Sequence, residues 1–369
     1  MQTKKQIKKL NFKGENIYVG IDTHKKDWRV ALYHDEVALK TFSQEPKPEI
    51  LINYLNKNYP GANYHCAYEA GFCGFWIQKR LSEKGLNCIV VNPADVPTTH
   101  KEKEFKTDPR DCRKIARSLR SKLLEAIYIP SDEGLGARSV VRLYNDMSKN
   151  YTRYKNKVKA ILNFNGIEYP LEFQDTKRHW SKYFYEWLKS IQLDTKEGTW
   201  TLQFYINECL RAKEMKMQTH KQVRELSKTA RFERSIKLLM SIPGIGLITS
   251  MQLLTEIEDI LRFKNLNQLC AYVGLIPTTN SSGDKDRVGE ITKRGNKFLK
   301  GIIIEAAWSA IRHDPILLHA YGKLRKRMEG NHAIIRIARK LLARILFVLV
   351  NEKPYEIRNH YIETNTSSS

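Results

Sequence analysis

Apolar and polar positions change period several times along this 369-residue chain, and each change marks an element. IYVGIDTHK opens with an apolar run that ends in an acid, and WRVALYHD alternates. EVALKTFS follows after a two-residue turn at Asp35 and Glu36, so residues 17–44 predict three short strands. KPEILINYLNKN (47–58) has helical spacing. YHCAYEA (64–70) predicts a fourth strand, and FWIQKRLSEKG (75–85) a helix closed by Gly85. NCIVVNP (87–93) predicts a fifth strand, stopped at Pro93, and a helix runs from Asp108 to about Leu123.

This order, three strands and then helices alternating with strands, is that of a ribonuclease-H-like mixed sheet. The reading gives an α/β domain over 15–125, followed by chain that is mainly α. Residues 132–165 and about 194–234 predict long paired helices with basic faces, a coiled-coil linker spanning 132–234. The segment 166–193 between them is aromatic-rich and less regular, an insertion packed on the helices. A second compact domain, mainly helical, is expected over 235–355, with helices at 295–312 and about 331–350 around a polar loop, 278–294. The tail 356–369 is expected to be disordered.

Composition narrows the class. The chain is 41% hydrophobic and 28% charged, enough to build cores and unlike a disordered tail. No apolar run approaches the roughly 20 residues of a membrane span. The basic N-terminus has no apolar stretch behind it, so no secretory signal is expected. Six cysteines form no C-x-x-C pair, which argues against a zinc finger and a disulfide framework and fits a reducing cytoplasm. The formal charge is +23, and residues 101–350 carry a net +20 of it. Positive charge spread over 250 residues, interleaved with 18 Tyr, 13 Phe and 6 Trp, suits a long polyanion and unpaired bases.

Four acids fall at the ends of predicted elements. Asp22 ends the first strand and Glu69 the fourth, and in a ribonuclease-H-like sheet those strands are neighbours. Asp108 suits the cap before Pro109, and Asp111, three residues on, shares its end and face of the helix. Carboxylates gathered this way repel unless cations neutralise them, and hard oxygen donors favour Mg2+ or Mn2+. Such ions can bind a phosphodiester and activate an attacking oxygen.

Two loops remain open. PGIG (243–246) follows a helical segment, and Thr249 stands where a dinucleotide fingerprint needs glycine. Its backbone could face a phosphate or simply turn between helices. In TTNSSGDKDRVGEITKRGNK, Ser281 and Ser282 precede Gly283, and Lys285, Arg287, Lys293 and Arg294 could hold phosphates. A Ser-Ser-Gly is either a plain turn or a presented hydroxyl, and a hydroxyl needs activation before it attacks.

YVGIDTHKKDWRVAL, YEAGFCGFW, VVNPADV and KTDPRDCRKIA, followed by LLMSIPGIGLITSMQLLTEI, RFKNLNQLCAYVGLIP, SSGDK and ITKRGNKFLK, stand in a specific order. In these blocks the chain resembles the transposases of the insertion-sequence one-ten family, also called bridge recombinases. The resemblance covers about 17–120 and 235–312. It implies a RuvC-like DEDD domain, a coiled-coil linker and a C-terminal transposase domain. It implies a DNA recombinase that excises and inserts its own element, guided by a non-coding RNA that pairs with donor and target DNA. On the family's pattern the metal-binding tetrad falls on Asp22, Glu69, Asp108 and Asp111, with Mg2+ as the expected ion. The nucleophile falls on Ser282, which would attack a DNA phosphate and form a phosphoserine link. The resemblance also implies a composite site between protomers of a dimer or tetramer, and a cytoplasmic, nucleoid-associated protein. Asp284 follows Gly283 where the family often has a second glycine, and Ser281 is the neighbouring choice of nucleophile. The alternative is a RuvC-like nuclease or junction resolvase, which cuts by metal-activated water and never links to DNA.

Overall fold

The computed structural model describes residues 11–35, 37–97, 108–282, 285–292 and 294–357, with the side chains of 108–110 and 278–290 outside the description. The chain divides into two compact units at Ile129/Pro130.

The first unit is built on a five-stranded mixed sheet of order β3-β2-β1-β4-β5. Its strands are β1 (Asn16–Thr23), β2 (Trp28–His34), β3 (Val37–Gln44), β4 (Asn63–Glu69) and β5 (Asn87–Val91). β2 runs antiparallel to both β1 and β3, while β1, β4 and β5 are parallel. The first and fourth strands are neighbours, as the element order requires. On one sheet face Ile17, Val19, Ile21, Val30, Cys66, Tyr68 and Val90 are buried. They pack with Leu51 and Leu55 of α1 (Pro48–Asn58) and Ile77 and Leu81 of α2 (Trp76–Glu83).

Helix α3 (Asp108–Arg120) covers the other face. It can lie close because β1 offers no side chain at Gly20: a Cβ there would be 2.1 Å from the Cys112 carbonyl oxygen and 2.4 Å from the Ala116 nitrogen. Ala31, Cys112 and Ala116 complete this small-residue seam. After α3 the chain returns to the sheet, with the Ile127 N–H donating to the Val90 carbonyl at 2.8 Å.

The second unit begins with α4 (Asp132–Phe164), capped by the Ser131 hydroxyl, and contains α6 (Lys196–Ser227) alongside it. Val141 packs with Val223 near one end, and Val158 and Leu162 with Leu202 and Ile206 near the other, so the two helices are antiparallel. The intervening segment holds α5 (Lys182–Ser190), whose Phe184, Tyr185 and Leu188 are buried against the pair. The aromatic insertion is therefore a packed element rather than a loose one.

The remaining helices are α7 (Glu233–Met240), α8 (Leu247–Ile257), α9 (Leu266–Val273), α10 (Lys297–His313), α11 (Pro315–Arg325) and α12 (Gly330–Asn351), which share one core. The long helix expected to continue to about 234 breaks at Ser227, and α7 starts afresh. α11 adds a helix to those expected, although Asp314 caps it and Pro315 occupies its first turn, a legible start. The polar loop expected over 278–294 is instead mostly a two-stranded hairpin, β6 (Pro277–Ser282) with β7 (Lys285–Ile291). The physical reason is local: β-branched Thr278 and Thr279 lie on β6 and Val288 and Ile291 on β7, residue types that favour strands. No helix among the described residues is long and apolar enough to cross a membrane.

Candidate active site

β1 and β4 pair in register up to Ile21 opposite Tyr68. The next residues are Asp22 and Glu69, so both acids stand side by side at the same end of the sheet. Strand alternation puts them on the face of Gly20 and Ala67, the face covered by α3. The Gly20 contact sets the helix over this end. The Cys112 thiol is pushed up to about 11, first by burial and then by the negative charge of Asp22, so Asp22 faces the start of α3.

Asp111 lies one residue before Cys112. Its Oδ1 is 3.3 Å from Lys114 Nζ, and the same ammonium is 4.0 Å from Glu69 Oε1. The Lys114 side chain is 11% exposed, so this charge is held between the two acids rather than in solvent. His24 Nε2 lies 3.2 Å from Asp22 Oδ2. Three of the four expected acids thus belong to one end of one sheet. Asp108 begins α3, and its side chain lies outside the described residues. Sequence reasoning missed Lys114, although its spacing of three from Asp111 on a helix was the available signal. It also missed Gly20, whose role no local pattern reveals.

Among the described residues only Glu15, His34 and Asp35 bring three ligand atoms within 4.8 Å of one another, at the opposite end of β1. There His34 Nε2 lies 2.8 Å from Glu15 Oε2 and 3.7 Å from Asp35 Oδ2. Asp22, Glu69 and Asp111 are more widely spaced, as like charges are, with Lys114 set between Glu69 and Asp111. Their donors are all hard oxygens on rigid elements, which fits a divalent cation of the Mg2+ type.

The expected nucleophiles lie in the second unit. Ser281 and Ser282 end β6, with Ser282 opposite Lys285 at the tip of the hairpin and Asn280 opposite Arg287. Gly283, Asp284 and Lys293 lie outside the described residues, as do the side chains of Ser281, Ser282, Lys285 and Arg287. Arg294 is exposed at the outgoing foot, where its N–H donates to Thr292 Oγ1 at 3.1 Å. The PGIG turn has a packing role. Gly244 has φ 88°, and a Cβ on it would meet the Ala310 nitrogen at 2.6 Å and the Ala306 oxygen at 2.8 Å on α10.

Residues 19–165 match the IS110-type DEDD transposase family model, and residues 236–322 match that of the transposase IS116/IS110/IS902 family. Together the two take in more than half of the chain. The chain belongs to the IS110 family of insertion-sequence transposases. It is similar to the y4qE protein of Sinorhizobium fredii, 27% identical over 282 residues, which is 76% of this chain and 66% of that one. It is similar also to the transposase for insertion sequence element IS1533 of Leptospira borgpetersenii, 24% identical over 79% of this chain and 84% of the relative. The transposase for element IS1111A of Coxiella burnetii is 26% identical over 62% and 61% of the respective lengths. The DEDD family match includes the acid-bearing sheet of this transposase, and the second match includes its serine hairpin.

Proposed function

We propose that this transposase cuts and rejoins DNA with Ser282 as the nucleophile, assisted by Asp22, Glu69, Asp108 and Asp111. A phosphodiester carries negative charge, and a strand cannot be opened without neutralising it. The acids would hold Mg2+, which supplies charge stabilisation and orientation at a phosphate when bound. The chain's own residues do the rest. Ser282, at the end of β6, offers its hydroxyl to the phosphorus atom. The bond formed is Oγ–P and the bond broken is P–O of the DNA strand, and the proton lost from Oγ ends on the departing DNA oxygen, which leaves as a hydroxyl. Attack by the released DNA hydroxyl of the partner strand reverses the exchange and restores serine. Lys285, Arg287, Lys293 and Arg294 supply cations for the phosphates alongside.

In this reading the chain is guided by a non-coding RNA from its own element, binds donor and target DNA, and works as a dimer or tetramer. The net charge of +23 and the aromatic content support a nucleic-acid partner. The observation that carries the reading is that Asp22 and Glu69 each follow the last paired residues of β1 and β4, Ile21 opposite Tyr68, with Lys114 joining Glu69 to Asp111.

The deciding experiment traps protein–DNA adducts on a labelled duplex spanning the element's end and maps them by mass spectrometry. Ser282→Ala is expected to abolish both adduct and strand exchange while DNA binding stays near normal. Adducts lost in Ser281→Ala instead would move the nucleophile by one residue. Cleavage without any adduct would point to metal-activated water, and full activity in EDTA would remove the metal.

A further inference from the structure

The serine hairpin stands on two feet, and both are clamped. α9 ends in left-handed Gly274, φ 84°, and the chain leaving β7 reaches Gly295, φ 102°, just before α10. A Cβ on Gly295 would lie 2.6 Å from the nitrogen and Cα of Gly274, so the feet touch backbone to backbone. The Thr292 N–H donates to the Ile276 carbonyl at 2.9 Å, and the Asn296 N–H to the Tyr272 carbonyl at 2.7 Å.

Asn296 is where the hairpin becomes α10. Its Oδ1 accepts from the N–H groups of Phe298 and Leu299, both at 3.1 Å, and so caps the helix. Its Nδ2 donates to Glu256 Oε2 at 2.8 Å. Glu256, on the last turn of α8, is 1% exposed. Arg142 of α4 grips the same carboxylate as a fork, Nε to Oε1 at 2.6 Å and Nη2 to Oε2 at 2.9 Å. The Tyr272 hydroxyl donates to the Glu256 carbonyl at 2.8 Å.

Taking a carboxylate out of water is costly, and apolar packing alone can join helices. What the carboxylate adds is direction. With Arg142 holding it, Asn296 has one favoured orientation, nitrogen toward Glu256 and oxygen toward α10. We propose that Glu256 is a positioning residue, whose Arg142-held carboxylate orients Asn296 and thereby aims the hairpin that presents Ser282. The proposal rests on the reading of Ser282 as nucleophile.

The donor and acceptor of this pair can be exchanged. In Asn296→Asp the helix cap survives, but two carboxylates face each other. Adding Glu256→Gln gives the carboxylate at position 296 a donor again and leaves one negative charge on the pair, while Arg142 keeps its Nε bond to the amide oxygen and loses the Nη2 bond, because Oε2 accepted from both Asn296 and Arg142. Asn296→Ser keeps a cap and simply removes the donor. The full chain is assayed for adduct formation on the labelled end duplex, for DNA binding and for Tm.

Asn296→Ser and Asn296→Asp are expected to slow adduct formation by on the order of tenfold to a hundredfold with DNA binding retained, the scale of a small misplacement at a reacting centre. The double variant is expected to recover part of that rate, above Asn296→Asp and below the wild type. A wild-type rate in Asn296→Ser overturns the proposal, and so does a double variant that regains Tm but not rate. Adducts that persist in Ser282→Ala overturn the serine reading instead, and that control is run beside the others.

Discussion

Lys114 is the residue on which the acid cluster turns. It is the ammonium between Asp111 and Glu69, only 11% exposed, and it offsets the repulsion that would otherwise separate them. It therefore competes with any divalent cation for the same oxygens. Lys114→Met is expected to lower the Tm of the metal-free chain and to enlarge the rise in Tm on adding Mg2+; an unchanged rise would show that the lysine does not compensate these acids. A second single-residue effect belongs to Glu258, which accepts from the Ser131 hydroxyl at 2.5 Å, the Ser131 N–H at 3.2 Å and Arg231 at 2.8 Å. Burial pushes its carboxyl up, but these donors outweigh burial and hold it below the usual 4.5. A depressed pKa contributes stability above the unfolded value, and that contribution is lost as pH falls through the folded one. Denaturant unfolding of the wild type should therefore weaken with acid below about pH 4.5 more than that of Glu258→Gln does. Parallel curves would contradict the assignment.

At the scale of elements, the acid end depends on how near α3 comes to β1. Gly20→Ala inserts a methyl where the Cys112 oxygen would be 2.1 Å away, and backbone on both sides cannot yield as a side-chain tip does. Overpacking of this kind costs about 1–3 kcal/mol. The variant is expected to lose that much stability by chemical denaturation, and to lose metal-dependent activity beyond what stability explains, because the helix carrying Asp111 must lift. Wild-type activity in a folded Gly20→Ala chain would mean that the helix is not what sets the acids. The strands and helices of this unit are legible from period and capping alone, since both arise within a few residues. The hairpin at 277–291 reads as a loop because polar Asn, Ser, Asp and Lys mask its alternation. Its β-branched Thr, Val and Ile are the signal that outweighs them.

For the whole molecule the largest single influence is charge, +23 overall and concentrated in 101–350. The second unit gathers like charges: burial lowers the pKa of Lys155, and Lys216 and Lys159 lower it further. Its ammonium sits 4.8 Å over the ring of Tyr151, and that of Lys216 lies 5.7 Å over the same ring. Such a surface gains by receiving phosphates and releasing their counterions. Binding to RNA or DNA is expected to fall by about 10³–10⁵ between roughly 50 and 200 mM salt if six to ten phosphates are neutralised. A flat response in a filter-binding series would count against a polyanion as the main partner.

What the sequence determined alone was short-range: the apolar run of β1 and the alternation of β2, the acids at the ends of β1 and β4, the cap and proline that start helices, and the surplus of positive charge. Each follows from neighbours along the chain, and two family patterns in fixed order joined them to a class of chemistry. The tertiary structure decided what required distant backbone to meet. It set Asp22 beside Glu69 by strand pairing, brought α3 down through a missing side chain at Gly20, and turned Lys114 between the acids. It also closed Gly274 on Gly295 and buried Glu256 under Asn296. These depend on separations of a few ångströms between elements tens of residues apart, and no local pattern of apolar and polar positions encodes them.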